Sequence, residues 1–441
     1  MGGLAVGVDL GSTSARAVAV DRDGAVRAVA TARYPVPGAA VAPGRADPDT
    51  WLVALEQVVC RLGVERPAAL AVGGQAPTTV PAAGGHAVTC THPAGATLDP
   101  HAQHGAQAGF LRESDPDVTP MQLWDWVLAR LGAPRVQGRW PGDPPLAGFG
   151  PVVPTGRACG EADGRHGVAP GTPLVPGAPD AYLAFWAAGV DEPGRALDPG
   201  GRTGGLGVAV VAGARPPDMF GLPAAARGID VVGGPVSAHG LALEWWSAMT
   251  GRSVESLLAD AAGVPPGAGG VIALPYLEGE RAPRWDRDLR AELVGLSSST
   301  GPAEVMRALL EGAAYGIAHI ARELAARGAP TRVLVVGGSP ARSPLWCAIK
   351  ASVLEVPVEV PEQPELAAYG AALAAGAAVG WWPAPGEGAA GDWPRPRMTV
   401  IDPEPLPVYR AGYARFVELG DEAVRRLERD RGEQEDRCRT P

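Results

Sequence analysis

Three short segments place groups that bind phosphate or move protons where a ligand could reach the backbone. The first is Asp9-Leu10-Gly11-Ser12-Thr13-Ser14-Ala15-Arg16. A tight Gly/Ser/Thr turn supplies backbone N–H donors and hydroxyls at close range, because glycine lets the main chain approach. Gly11, Ser12 and Thr13 are therefore candidates to cradle phosphates, and Arg16 offers a planar fork for phosphate oxygens. Asp9, at the end of an apolar run, could hold Mg2+ directly or through water. An ordinary hairpin with polar decoration would use the same residues. The second segment is Gly171-Thr172-Pro173-Leu174-Val175-Pro176-Gly177-Ala178-Pro179-Asp180, with its acid at the start of the apolar stretch 181–188. A carboxylate there either caps a helix or serves as a general base for an attacking hydroxyl. The third, Gly337-Gly338-Ser339, follows an apolar strand and would let a flat adenine lie on the backbone. Any strand–helix turn can have the same composition.

The surrounding patterns say which elements hold these segments. Residues 5–9 and 15–21 read as two strands joined by the glycine turn, and 25–34 as a third. The turn therefore joins strands of an antiparallel meander, whereas in a dinucleotide-binding unit it would open a helix. Pro48 starts a helix with Trp51, Leu52, Leu55, Val59 and Leu62 on one face, closed by Gly63. Residues 67–75 form another strand, running into Gly73-Gly74-Gln75. Between about 82 and 170 only 121–131 reads as helical. A second glycine-rich turn, Gly200-Gly201-Arg202-Thr203-Gly204-Gly205, precedes the apolar run 206–211 and suggests a duplicated domain. A long helix over 302–327, a buried strand over 333–336, a strand over 358–360 and an alanine-rich helix over 366–379 follow. Residues 384–400 read as a loop, and the charged end from about 426 as a solvated or frayed helix.

Composition removes several classes. The 441 residues suit two domains, with 46% apolar and 20% charged residues. A net charge of -10 disfavours nucleic acid or an anionic membrane as partner. No apolar run reaches the roughly 18 residues of a membrane span, and five scattered cysteines fit a reducing compartment. A cytoplasmic location is expected. The one lysine, Lys350, does not follow a glycine loop, so neither a P-loop nor a protein-kinase lysine is available.

Together and in this order, the segments resemble the FGGY carbohydrate kinases, most closely the xylulokinase-like branch. Asp9–Arg16 is similar to the family's opening hairpin, Gly74-Gln75 to its second strand end, and Gly171–Asp180 to the segment of its catalytic aspartate. Tyr276-Leu277-Glu278-Gly279-Glu280-Arg281-Ala282-Pro283, Arg307 to Gly312, Gly337 to Trp346, and Glu365 with Gly370-Ala371-Ala372 resemble further family elements. The similarity runs to about residue 420. It implies an α/β fold of two actin-like, ribonuclease-H-like domains with ATP and Mg2+ in the cleft between them, and Asp180 as base. The expected domains are 1–192, sugar-binding and shortened, and 193–425, nucleotide-binding, with a charged tail over 426–441. Gly201, Arg202, Thr203 and Gly204 with Gly337, Gly338 and Ser339 would hold the nucleotide, and Asp9 the metal.

The acceptor side departs from the family's pattern. Gln75-Ala76-Pro77 stands where members commonly show Gln-Met-His, Asp99 survives from a Trp-x-Asp-x-Arg element, and His101 replaces its arginine. Arg202 intrudes in the second glycine turn, where it could add a phosphate contact or crowd one. The expected activity is phosphorylation of a small ketose, such as xylulose, or of a polyol. The resemblance also admits a homodimer. A catalytically impaired homologue that binds nucleotide or sugar is the open alternative; an actin-like or chaperone ATPase is disfavoured by the setting of Asp180.

Overall fold

The computed structural model describes residues 3–35, 40–42, 44–90, 92–93, 100–216 and 219–439. The chain divides into two compact units, each discontinuous in sequence. Unit 1 comprises Met1–Asp191, Pro223–Ile229 and Glu365–Pro396; unit 2 comprises Glu192–Leu222, Asp230–Pro364 and Arg397–Pro441. No described helix is long and apolar enough to cross a membrane.

Unit 1 opens with the expected meander. Strands β1 (Ala5–Leu10), β2 (Ser14–Val20) and β3 (Val26–Arg33) pair antiparallel in sequence order. Helix α1 (Asp49–Leu62) buries Trp51, Leu52, Leu55, Val58, Val59 and Leu62 and ends at Gly63, whose φ of 65° suits a residue without Cβ. Burial of such side chains contributes about 1.5–3 kcal/mol each before entropy is counted. Strand β4 (Ala69–Gly74) then lies parallel to β1.

The segment 82–170 holds more structure than its composition signals. Helix α2 (Pro100–Ser114) precedes the expected helix, α3 (Leu123–Arg130). α2 carries Gly105 and Gly109 and no clean apolar stripe, which hid it from periodicity. Buried polar contacts anchor it instead. Thr79 Oγ1 donates to Gln107 Oε1 at 2.7 Å and lies 3.0 Å from His104 Nδ1, while Gln107 Nε2 donates to the carbonyl of Pro77 at 3.2 Å.

The strands β5 (Gly160–Glu161) and β6 (Pro173–Pro179) complete this sheet, and α4 (Asp180–Ala187) follows at once. Among the described residues the order is β5-β6-β4-β1-β2-β3. β6 is parallel to β4, with a register shift between Pro176 and Pro179 where the prolines break the ladder.

Unit 2 repeats the plan. β7 (Arg195–Asp198) pairs antiparallel with β8 (Gly205–Val211), with β9 (Phe220–Pro223) and β10 (Ile229–Pro235) beyond it. Helix α5 (Gly240–Thr250) and the long α6 (Pro302–Ala326) lead to β11 (Val333–Val336), parallel to β7. Then come α7 (Pro344–Leu354) and β12 (Val358–Pro361), parallel to β11. The chain returns to unit 1 as α8 (Leu366–Ala378), then adds β13 (Met398–Ile401) and α9 (Pro407–Arg439) to unit 2. The second sheet runs β9-β10-β8-β7-β11-β12-β13 among the described residues. Both sheets thus centre on a hairpin strand flanked by two parallel strands on its other side, as the repeated glycine turn suggested.

Two boundaries differ from the expected ones. Residues 398–401 pair with β12 as a strand, so the expected loop ends earlier. The charged end from about 426 is helical, as expected, and continues α9 without a break. Most telling, 365–396 belongs to unit 1, inside the span expected to be wholly the second domain. The reason is steric. α8 approaches β1 so closely that a Cβ on Gly7 would lie 2.0 Å from Ala372 N, and one on Gly370 would lie 2.1 Å from Leu183 O of α4. A helix of alanine and glycine can nest that closely; a bulkier one cannot.

Gly7→Ala should therefore lower the stability of unit 1 by roughly 3 kcal/mol, the scale of overpacking a tight core. Gly105→Ala, with open space at the new methyl on α2, should raise it by up to about 1 kcal/mol. Urea midpoints of the two variants check the pair.

Candidate functional site

Strand alignment assembles the site in unit 1. Asp9 lies opposite Arg16 across the β1–β2 ladder, and Leu10 of β1 pairs with Gly74 of β4. Gly74 in turn pairs with Pro179 of β6. The carboxyl ends of three parallel strands are therefore level, and they deliver Asp9, Gln75 and Asp180 to one edge. That edge is where open α/β sheets bind ligands.

Four ionic groups meet there. Asp9 is 4% exposed, and its Oδ2 lies 3.8 Å from Arg16 Nη1. Arg16 Nε lies 2.9 Å from Glu365 Oε2, so the guanidinium is held between acids from β1 and the entry of α8. Burial pushes the Asp9 carboxyl well above the carboxylate range, and the negative charge of Asp180 adds to it; Arg16 opposes. Asp180 is also raised, chiefly by burial, and less so because Oδ1 accepts the Ala181 N–H at 2.7 Å and Arg16 is near. Tyr34, at the end of β3, is raised by burial and by Asp9. Among the described residues Asp9 Oδ1, Gln75 Nε2 and Tyr34 Oη are buried without a hydrogen-bond partner.

The hairpin turn itself is short. Gly11 N–H donates to the Ser14 carbonyl at 3.1 Å, Ser12 is exposed and Thr13 partly so. Gly11 faces Asp9 and Arg16, with space for a Cβ only at 3.6–3.7 Å from their polar atoms. Gln75 N–H is bound by the Leu10 carbonyl at 2.9 Å, which fixes the start of Gln75-Ala76-Pro77 beside the hairpin. Asp180 is the first residue of α4 and no side chain caps that helix, so the carboxylate is not occupied as a conventional cap.

A buried acid with one unpartnered oxygen, in a cluster richer in acids than in bases, suits a divalent cation. Asp9 fits Mg2+ on that ground, because a cation would let neighbouring carboxylates ionise together.

In unit 2 the two glycine turns are neighbours. A Cβ on Gly200 would lie 2.5 Å from the Gly337 carbonyl, and one on Gly338 would lie 2.9 Å from that of Pro199. Gly201, Thr203 and Ser339 are exposed, Gly338 partly so, and Gly204 and Gly337 are buried. Arg202 Nε lies 3.3 Å from Glu244 Oε2 of α5, which draws its charge toward that helix.

Of the residues singled out from sequence, Asp99 lies outside the described residues. His101 falls within α2, but its side chain lies outside the description. Glu365 and Tyr34 were not among the site residues read from sequence. Glu365 is 349 positions from the arginine it holds, and no local pattern links them; the available signals were its place at the entry of an alanine-rich helix and the likeness of that segment to a family element.

Residues 223–379 match the C-terminal domain of the FGGY family of carbohydrate kinases. A glycerol kinase of Gloeobacter violaceus is 41% identical over 118 residues, 26% of this chain and 24% of its own length. A gluconokinase of Bacillus subtilis is 34% identical over 157 residues, 32% of this chain and 30% of its own length. The matched part thus spans a quarter to a third of these curated relatives. The fold as a whole is that of a xylulose kinase from Lactobacillus acidophilus, with a TM-score of 0.78 and 18% identity over 96% of this chain and 98% of that one.

The raised carboxyls have a consequence for stability. A group whose folded pKa exceeds its unfolded value favours folding most below the unfolded pKa, and that contribution is lost as pH rises through the folded one. Without metal, unit 1 should lose stability from the ordinary carboxylate range toward neutrality. Asp9→Asn should flatten that fall, as should added Mg2+ in the unchanged chain. Thermal melts across pH check it; a fall equally steep in Asp9→Asn would remove Asp9 as its source.

Proposed function

We propose that this chain, which carries a C-terminal domain of the FGGY family of carbohydrate kinases, transfers the γ-phosphoryl group of ATP to a hydroxyl of a small sugar or polyol. The observation that carries the reading is the level alignment of Asp9, Gln75 and Asp180 at three parallel strand ends, with the Arg16 guanidinium beside them.

Phosphoryl transfer asks the protein for positioning and charge neutralisation more than for covalent chemistry. Ser12 and Thr13 present backbone N–H groups and hydroxyls to the terminal phosphates, and Gly11, whose own N–H is bound to the Ser14 carbonyl, leaves the phosphates room to approach. Arg16 spreads positive charge over their oxygens, and Glu365 sets the direction of its fork. Asp9 would hold Mg2+, which supplies charge neutralisation on the phosphates. Gly201, Arg202, Thr203 and Gly204 with Gly337, Gly338 and Ser339 are assigned to the nucleotide.

Asp180 accepts the proton of the acceptor hydroxyl as its oxygen attacks phosphorus. A bond forms from that oxygen to the γ-phosphorus, the bond to the β–γ bridging oxygen breaks, and ADP leaves. The base must be ionised to act, so its raised pKa delays activity on the acid side. Use of ATP fits a cytoplasmic location. Gln75, Ala76 and Pro77, with Asp99 and His101, are assigned to the acceptor, whose class spans ketoses such as xylulose, glycerol-like polyols and gluconate-like acids.

A panel of ketoses, polyols and sugar acids with Mg-ATP, read as ADP released, tests the activity. Stimulation by at least one member is expected; none across the panel would sink the reading. Asp180→Asn should reduce turnover by about 10²-fold or more while ADP still binds. Arg16→Ala should act mainly on the use of ATP. In the unchanged chain the acid limb of kcat/KM should lie above the ordinary carboxylate range, and its absence would argue against Asp180 as base.

A further inference from the structure

The one lysine of the chain is also among its most buried residues. Lys350, on α7, is 0% exposed, as are Asp198 and His239. Its Nζ donates to Asp198 Oδ2 at 2.6 Å, and His239 Nε2 lies 3.3 Å from the same oxygen. Trp346, one turn before Lys350, has the ammonium 4.4 Å over its ring and His239 stacked on it at 4.4 Å and 22°. The indole is fixed by donation to the Leu310 carbonyl at 3.1 Å. Nothing in the chemistry derived above uses this cluster.

Burying a lone lysine and its acid is poor value for stability alone. An apolar pair of similar volume usually serves as well or better. What an ion pair adds is direction, and here the direction leads to the two glycine turns. Asp198 Oδ1 accepts the Gly200 N–H at 3.0 Å, and the Asp198 carbonyl accepts the Gly337 N–H at 2.9 Å. His239 extends the clamp from its backbone: its N–H and that of Leu241 donate to the Arg202 carbonyl, at 2.9 and 3.0 Å, and Gly240 N–H donates to Gly201 at 3.1 Å.

The comparison with unit 1 shows why a clamp is needed. Asp198 is the last residue of β7 and Asp9 the penultimate residue of β1, and each stands two residues before the first glycine of its turn. In unit 1 the turn spans only 11–13 and closes on itself through Gly11 and Ser14, leaving the carboxylate of Asp9 to other partners. In unit 2 it spans 199–204 and is rich in glycine, so it has more conformational freedom to lose. Its acid is turned inward and spent on fixing that loop.

We propose that Lys350 is a positioning residue which, by holding Asp198, locks the Gly200–Gly205 and Gly337–Ser339 turns into one arrangement for the nucleotide. This rests on the assignment of those turns to the nucleotide. The test uses the full chain, with Mg-ADP titrated by calorimetry and amide hydrogen exchange read by segment. In Lys350→Met, ADP affinity should fall at least tenfold. Exchange should rise about tenfold at 199–205 and 337–339, with 206–211 and 333–336 unchanged. Asp198→Asn/Lys350→Met removes both buried charges. It should regain most of the thermal midpoint without regaining ADP affinity, and it carries the test if the single variant does not fold. ADP affinity within twofold of the unchanged chain in either folded variant would overturn the positioning role and leave the nucleotide assignment standing. So would a rise in exchange spread evenly through unit 2. Absence of Mg-ADP binding by the unchanged chain would instead overturn the nucleotide assignment itself.

Discussion

One arginine between acids organises the first unit. Arg16 projects from β2 toward Asp9 directly across the ladder and reaches Glu365 at the entry of α8. Without that cation, Asp9, Asp180 and Glu365 would be near neighbours with no local counter-charge. Burial raises the carboxyls of both Asp9 and Asp180, the charge of Asp180 adds to the effect on Asp9, and Arg16 opposes the rise in each. Three acids beside one guanidinium would accept a further cation, as the proposed phosphoryl transfer requires.

The same strand plan, used twice, is given two different jobs by the acid near the end of its first strand. Asp9 is left with an unpartnered oxygen among acids. Asp198 is engaged by Lys350 and Gly200; against the effect of burial, Lys350 and then His239 hold its carboxyl well below the ordinary range. An acid kept unsatisfied recruits ligands; an acid fully satisfied shapes a loop. Strand order alone does not separate the two, because each acid lies in a strand paired antiparallel on one side and parallel on the other. The separation lies in what α7 carries, and a single lysine makes it.

Much of this was legible in the sequence because the informative features are local. Short apolar runs marked β1 and β4, alternation marked β2, glycine marked the turns and the end of α1, and the acid at residue 180 announced the start of α4. What was not legible depends on contacts distant in sequence. α2 has no apolar stripe; it is held by Gln107 and His104 against Thr79, and side-chain hydrogen bonds leave no periodic trace. The membership of α8 in unit 1 rests on Gly7 and Gly370, whose missing side chains permit close approach but do not name the partner. Lys350 was read correctly as unfit for a phosphate loop, yet its sequence neighbours gave no hint of Asp198, 152 residues away.

That last case shows how burial changes the meaning of a charged residue. In an exposed helix a lysine four residues after a tryptophan is a solvated side chain with an apolar stem. Fully enclosed, it must have a carboxylate, and the carboxylate must then be spent on something other than water. Here it is spent on the Gly200 N–H of a glycine-rich turn, where order is costly to obtain from the turn's own residues. The donors that glycine leaves accessible are useful to a ligand only if they point one way. A buried ion pair can set that direction because breaking it would strand two charges at once.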